Sequence, residues 1–222
     1  MKTFCIIVAG GKGLRMGSNI PKQFLLLNGK PILIRTLEAF LKYDPSMEII
    51  MALPADHISY WNRLYKEYDF NSPVKVVEGG ETRYHSVKNA IQTIQGDGIV
   101  AVHDGVRPLI TSEFINRCFK DAEEYKTAIP FIPVSESMRE IEGENNQHAD
   151  RSKFVLIQTP QVFEVKLLKK AFTQIYRVTF TDEASLVENM GTRVHLTAGI
   201  PENIKITNQI DLLFAKAILA VK

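Results

Sequence analysis

A chain of 222 residues is long enough for one large domain with an ample core, and 45% apolar with 23% charged residues are proportions of an ordinary globular protein. A formal net charge of +2 excludes a general nucleic-acid coat or a polybasic membrane binder. The two cysteines, Cys5 and Cys118, have no C-x-x-C neighbour, so they read as buried thiols of a reducing compartment and not as redox or zinc ligands.

Phe4–Val8 is an apolar run of strand length. It ends at Gly10-Gly11-Lys12, too soon for a signal peptide, and nowhere do 18 apolar residues run together, so the expected location is the cytoplasm, with no membrane segment. Further strands are predicted at Glu48–Leu53, Val74–Val77, Ile99–His103 and Thr127–Phe131. Helices are predicted between them at Ile32–Tyr43, Ile58–Tyr68, Ser86–Ile94 and Ser112–Tyr125. The first helix carries Leu33, Leu37, Phe40 and Leu41 on one face, and Thr111 or Ser112 suits the cap of the fourth. This order implies an α/β fold: a mostly parallel, Rossmann-like sheet flanked by helices, with ligands beyond the carboxyl ends of the strands.

The rhythm breaks over residues 135–153, a polar stretch with a Gly-Glu-Asn-Asn turn signal at its centre. A disordered loop is one reading. Met138 and Ile141 flanking the turn favour the other, a protruding β-hairpin arm of the kind that docks on a second subunit. The pattern resumes with Phe154–Ile157, Val165–Tyr176, Asp182–Met190, Val194–Thr197 and a closing helix over Gln209–Val221. Residues 1–222 therefore read as one domain with the arm inside it.

Six segments carry chemistry. The first is Ala9-Gly10-Gly11-Lys12-Gly13-Leu14-Arg15-Met16-Gly17, closed by Pro21-Lys22-Gln23. Its glycines let the backbone turn tightly and present N–H groups to an anion. Met16 occupies a position where a dinucleotide fingerprint needs glycine, and no Gly-Lys-Ser/Thr follows a four-residue gap as in a phosphate-binding P-loop. A glycine-rich turn alone is often only structural. Here Lys12, Arg15 and Lys22 surround it and no Asp or Glu precedes Glu38, which favours a polyphosphate cradle.

The second segment, Glu78-Gly79-Gly80-Glu81-Thr82-Arg83 with Ser86, fits either a turn or a site. Glu81 suits ribose hydroxyls, and Ser86 suits a helix cap as well as a base contact. The third, His103-Asp104-Gly105-Val106-Arg107-Pro108, again ends an apolar strand. Asp104 there suits Mg²⁺ carrying triphosphate oxygens or a sugar hydroxyl, while His103 reads as a satisfied buried histidine. An Asp104–Arg107 ion pair is the structural alternative. The remaining three are Gln158-Thr159-Pro160-Gln161, Thr181-Asp182-Glu183-Ala184-Ser185 and Asn203-Ile204-Lys205-Ile206-Thr207. Thr181 reads as a helix cap. Lys205, between apolar strand residues, either snorkels to the surface or points into a phosphate site.

In order, from Ala9 to Thr207, these segments resemble the 2-C-methyl-D-erythritol 4-phosphate cytidylyltransferases of the non-mevalonate isoprenoid pathway. The resemblance implies transfer of a cytidylyl group from CTP to methylerythritol phosphate, releasing pyrophosphate, with Mg²⁺ as cofactor. It assigns Ala9, Gly10, Gly11, Gly13, Arg15, Lys22, Gly80, Glu81, Ser86, Asp104 and Gly105 to the nucleotide, with Asp104 the candidate metal ligand. Arg15 and Lys22 would stabilise charge on the phosphates during attack, and Arg151 with Lys205 would position the acceptor. Asp104, Arg107, Ser137, Thr159 and Thr181 would be further polyol-phosphate contacts. The family usually has Asp at the Glu81 position and commonly Thr at Ser137. The arm, which carries Ser137 and Arg151, implies a homodimer with shared sites. A ribitol-5-phosphate cytidylyltransferase shares the glycine loop, Pro-Lys-Gln and Thr-Pro-Gln. A catalytically silent nucleotide-binding protein on the same fold is the alternative outside the enzyme class.

Overall fold

The structure, a computed structural model, describes residues 1–11 and 20–221. β1 (Thr3–Val8) opens the chain, and a 3-10 turn at Lys22–Phe24 leads to the short strands β2 (Leu26–Leu27) and β3 (Lys30–Pro31). Then α1 (Ile32–Tyr43), β4 (Glu48–Leu53), α2 (Ala55–Glu67), β5 (Val74–Glu78), α3 (Arg83–Ile91), β6 (Ile99–Asp104), α4 (Ser112–Tyr125) and β7 (Thr127–Pro133) follow in strict alternation. The second half holds β8 (Met138–Glu142), β9 (Asn145–Ala149), a 3-10 turn at Arg151–Lys153, β10 (Val155–Ile157), β11 (Gln161–Glu164), α5 (Val165–Ala171), α6 (Glu183–Glu188), β12 (Leu196–Ala198) and α7 (Gln209–Val221).

The main sheet runs β10-β7-β11-β6-β1-β4-β5, with β12 beside β7. β6, β1, β4 and β5 are parallel, as strands joined through crossover helices must be. β1 lies between β6 and β4, and its residues Phe4 to Ile7 are wholly buried. The period of two along the strands then divides the core. Cys5, Ile7, Ile49 and Met51 face α1, α2 and α4, while Phe4, Ile6 and Ile50 face α3, α5 and α6. On α1 the stripe Leu33, Leu37 and Phe40 is fully buried, each side chain contributing about 1.5–3 kcal/mol by leaving water, whereas Leu41 packs only at the edge. A third cluster joins α7 through Ala215 to Leu27, Ile32, Val106 and Ile206.

β8 and β9 form a separate antiparallel hairpin within the stretch read as an arm, its side chains mostly exposed. The two-residue turn begins at Gly143 with φ +59°, a left-handed value that suits glycine.

Several boundaries differ from the sequence reading. α2 begins at Ala55, directly after Pro54, because proline suits a helix start. β11 was not legible: it is four residues long, begins with a polar Gln, and pairs antiparallel between β6 and β7. α5 stops at Ala171, and Lys205 lies in an irregular segment outside any strand. Among the described residues no helix is long and apolar enough to cross a membrane.

Candidate active site

The four parallel strands deliver their carboxyl ends to one place. β1 runs into Ala9-Gly10-Gly11, β4 into Pro54, β5 into Gly79-Gly80-Glu81, and β6 ends on Asp104 itself. Together with Lys22, Gln23, Thr82, Arg83, Ser86 and Lys205 these residues line a cleft of about 300 Å³. Backbone hydrogen bonds continue the sheet past the strand ends and hold the loops: Ala9 N–H donates to Ala52 O at 3.1 Å and Gly79 N–H to Leu53 O at 2.7 Å. The Gln23 amide donates to Ala9 O at 2.7 Å.

The β5 turn is built for close approach. A Cβ on Gly80 would lie 2.3 Å from the His85 Cβ, so only glycine fits there. Gly80 N–H donates to Ser86 Oγ at 3.0 Å, and that hydroxyl donates to Thr82 O at 3.0 Å. Ser86 is therefore not the cap of α3. Thr82 is, because α3 begins three residues earlier than its apolar pattern suggests.

Asp104 is the electrostatic centre. Its Oδ2 lies 3.0 Å from Lys205 Nζ and 3.3 Å from Arg107 Nε, and its Oδ1 lies 3.7 Å from Arg83 Nε. Burial alone would raise its pKa, but Arg83, Lys205 and Arg107 outweigh that and hold the carboxyl well below the usual range. Its backbone N–H donates to Thr159 Oγ1 at 3.1 Å. The Thr159 hydroxyl stands 3.0 Å from His103 Nδ1, and His103 Nε2 lies 3.1 Å from Arg107 O. A carbonyl can only accept, so Nε2 carries the proton and Nδ1 accepts from Thr159. Burial pushes the His103 pKa down to about 4, so the ring is neutral at pH 7.

Of the residues singled out from the sequence, Ala9, Gly10, Gly11, Lys22, Gly80, Glu81, Ser86, Asp104 and Lys205 line the cleft. Gly13 and Arg15 lie outside the described residues. Gly105 does not line it; a Cβ there would lie 3.0–3.2 Å from the Leu33, Ala9 and Ile7 side chains, so the core packs closely against it behind the loop. Arg107 acts from the side, on Asp104 and on Asn203 O at 2.7 Å, and Thr159 from beneath. Ser137, Arg151 and Thr181 are not among the lining residues. Arg151, at the foot of the hairpin, donates to Ser135 O. Thr181 is exposed and does not cap α6; Asp182 does, in a reciprocal box with Ser185, since a carboxylate accepts better than a hydroxyl.

Two contributors were not singled out. Arg83 stands in the quoted Glu78–Arg83 cluster and Glu183 in Thr181–Ser185, yet only the fold brings them into contact. Among the described residues no three His, Cys, Asp or Glu are grouped to hold a metal alone. One carboxylate in a cleft lined by glycine turns nevertheless fits Mg²⁺, which takes one or two protein carboxylates and fills its shell from ligand oxygens and water.

Comparison with known proteins gives this arrangement a family. The family described as "IspD: 2-C-methyl-D-erythritol 4-phosphate cytidylyltransferase" matches residues 3–221. A 2-C-methyl-D-erythritol 4-phosphate cytidylyltransferase of Bacteroides thetaiotaomicron is 51% identical over 219 residues, covering 99% of this chain and 100% of the relative. The 4-diphosphocytidyl-2C-methyl-D-erythritol synthase of Anaerococcus prevotii superposes with a TM-score of 0.83 at 26% identity, over 99% of this chain and 98% of that one. The 2-C-methyl-D-erythritol 4-phosphate cytidylyltransferase of Thermus thermophilus gives 0.78 at 29% identity, over 99% and 100%. With its parallel-strand cleft, its glycine turns and its Asp104–Lys205 pair, the chain belongs to the 2-C-methyl-D-erythritol 4-phosphate cytidylyltransferase family.

Proposed function

We propose that this protein transfers the cytidylyl group of CTP to 2-C-methyl-D-erythritol 4-phosphate, the activity its family is named for, and that the cleft at the strand ends is where it does so. A phosphate oxygen of the acceptor attacks the α-phosphorus of CTP, a new P–O–P bond forms, and pyrophosphate leaves. The observation that carries this reading is a single cleft holding glycine turns on one side and a Lys205–Asp104 pair on the other. That arrangement has the parts for a polyphosphate and for a second, anionic substrate.

The turns Ala9–Gly11 and Gly79–Gly80 take the nucleotide, with Ser86 fixing the Gly80 N–H beside the base and Glu81 near the ribose. Lys22 lines the cleft on the phosphate side, with Arg15 assigned the same role by the family resemblance, and preorganised positive charge there stabilises the transition state more than the bound substrate. Lys205 holds the acceptor phosphate, steered by Asp104, which Arg107 braces from the side. Mg²⁺, held by Asp104 together with triphosphate oxygens, would withdraw charge from the phosphates. Ser137, Arg151 and Thr181 complete the acceptor site in a homodimer, the arm of one subunit reaching the cleft of the other.

The test is pyrophosphate release with CTP and methylerythritol phosphate, each omitted in turn, and with ribitol 5-phosphate as rival acceptor. Release that needs both CTP and methylerythritol phosphate is the expected result. Preference for ribitol phosphate, or no release, refutes the reading.

A further inference from the structure

Beside the cleft lies a buried carboxylate that the reaction as described leaves unused. Glu183 opens α6, is 2% exposed, and accepts through Oε1 from Arg83 Nη1. Its Oε2 is buried with no hydrogen-bond partner, so among the described residues the side-chain polar contact of this carboxylate is to Arg83 alone. Arg83 in turn lines the cleft as the first residue of α3, with its Nε facing Oδ1 of Asp104. Oδ2 of the same carboxylate is shared by Lys205 and Arg107. The two oxygens of Asp104 are thus divided between opposite sides.

This arrangement is costly as packing. A buried ion pair is often matched in stability by apolar residues of the same volume, and a cation in the first turn of a helix opposes the helix dipole. What both costs yield is one guanidinium fixed against Asp104. We infer that Glu183 is a positioning residue, acting through Arg83 to orient the Asp104 carboxylate and with it the Lys205 ammonium of the acceptor site. The inference rests on the cytidylyltransferase reading above. When Glu183 loses its charge, Arg83 turns wholly to Asp104, the carboxylate rotates, and Lys205 loses its partner geometry.

Glu183→Gln keeps the shape and the acceptor oxygen but removes the charge. Expected is a rise of about tenfold in KM for methylerythritol phosphate, with KM for CTP within about twofold. A role confined to holding α6 would lower the melting temperature and the active fraction while leaving both KM values unchanged, and that result overturns the inference. In an Arg83→Met background the Glu183→Gln effect should vanish, because the two act in series; a full additive effect also overturns it. If Glu183→Gln does not fold, Arg83→Met alone decides, by a raised or unchanged acceptor KM. If the wild-type chain turns over no polyol phosphate, the cytidylyltransferase reading falls. The link is then read from a crystal structure of Glu183→Gln, where an Asp104 carboxylate that keeps its orientation and its Lys205 contact overturns the inference, and one rotated toward Arg83 and away from Lys205 supports it.

Discussion

Lys205 Nζ stands 3.0 Å from Asp104 Oδ2, joining a residue of an irregular C-terminal segment to the last residue of a central strand. The lysine is not in the strand that its apolar neighbours suggest. Ile204 and Ile206 instead pack against the cluster under α7, and Ile206 N–H donates to Val106 O at 3.0 Å. These anchors put the ammonium in the cleft while its stem crosses the surface.

Lys205→Met should therefore act on the acceptor. Its kcat/KM for methylerythritol phosphate is expected to fall by about 10²-fold or more, since one preorganised charge at a phosphate is lost. Lys22→Ala should differ by lowering kcat far more than it weakens CTP binding. Steady-state kinetics with each substrate varied, beside CTP titration calorimetry, separates the two. An equal loss in CTP affinity with kcat unchanged would contradict the role given to Lys22.

Gly80→Ala tests the nucleotide side. Its new methyl meets His85 Cβ and backbone at 2.3–3.2 Å, all borne by α3, so the turn must move and Gly80 N–H leaves Ser86. Overpacking of this kind costs about 1–3 kcal/mol. Urea unfolding should show that loss, and KM for CTP should rise more than KM for the acceptor.

His103 predicts a pH dependence of stability. The folded ring stays neutral down to about pH 4, whereas an unfolded histidine titrates near pH 6.5. Between those values the unfolded state binds the extra proton, so stability rises with pH. This contribution is complete above about pH 6.5 and is lost as pH falls toward 4, by roughly 3 kcal/mol in all. Asp104, held well below the usual carboxylate range, titrates at lower pH, while Glu183, raised by burial, works with the opposite sign. Unfolding at pH 4.5 and pH 7, compared between wild type and His103→Gln, isolates the histidine. An equal pH dependence in both would exclude it as the cause.

The hairpin predicts the assembly. Ile141 is 76% exposed on it, and Phe154, just before edge strand β10, and Leu156, within it, are each about half exposed. Removing residues 136–152 should give a monomer by light scattering, with turnover lost. A dimer of full activity would show that the arm does not complete the site.

The βαβ half of this fold was legible because β1, β4 and β6 are nearly continuous apolar runs buried on both faces, and helices such as α1 carry clean stripes. So were the glycine turns, since a turn that presents backbone N–H groups needs glycine locally. Short-range signals of that kind survive in one dimension. β11 did not, because a four-residue strand that begins at Gln161, directly after Gln158-Thr159-Pro160, gains its stability from the neighbours on either side. The same holds for the caps: Thr82 and Asp182 were passed over for Ser86 and Thr181, as boundaries depend on where packing lets a helix begin. The order of the motifs, through the family resemblance it carries, assigned Asp104, Lys22 and Lys205 to one class of chemistry. That Asp104 is shared by Arg83, Arg107 and Lys205, and that Glu183 stands behind Arg83, was decided only by tertiary structure. Charges distant in the chain interact only after folding has removed the water between them and set their separation, and no local pattern encodes that distance.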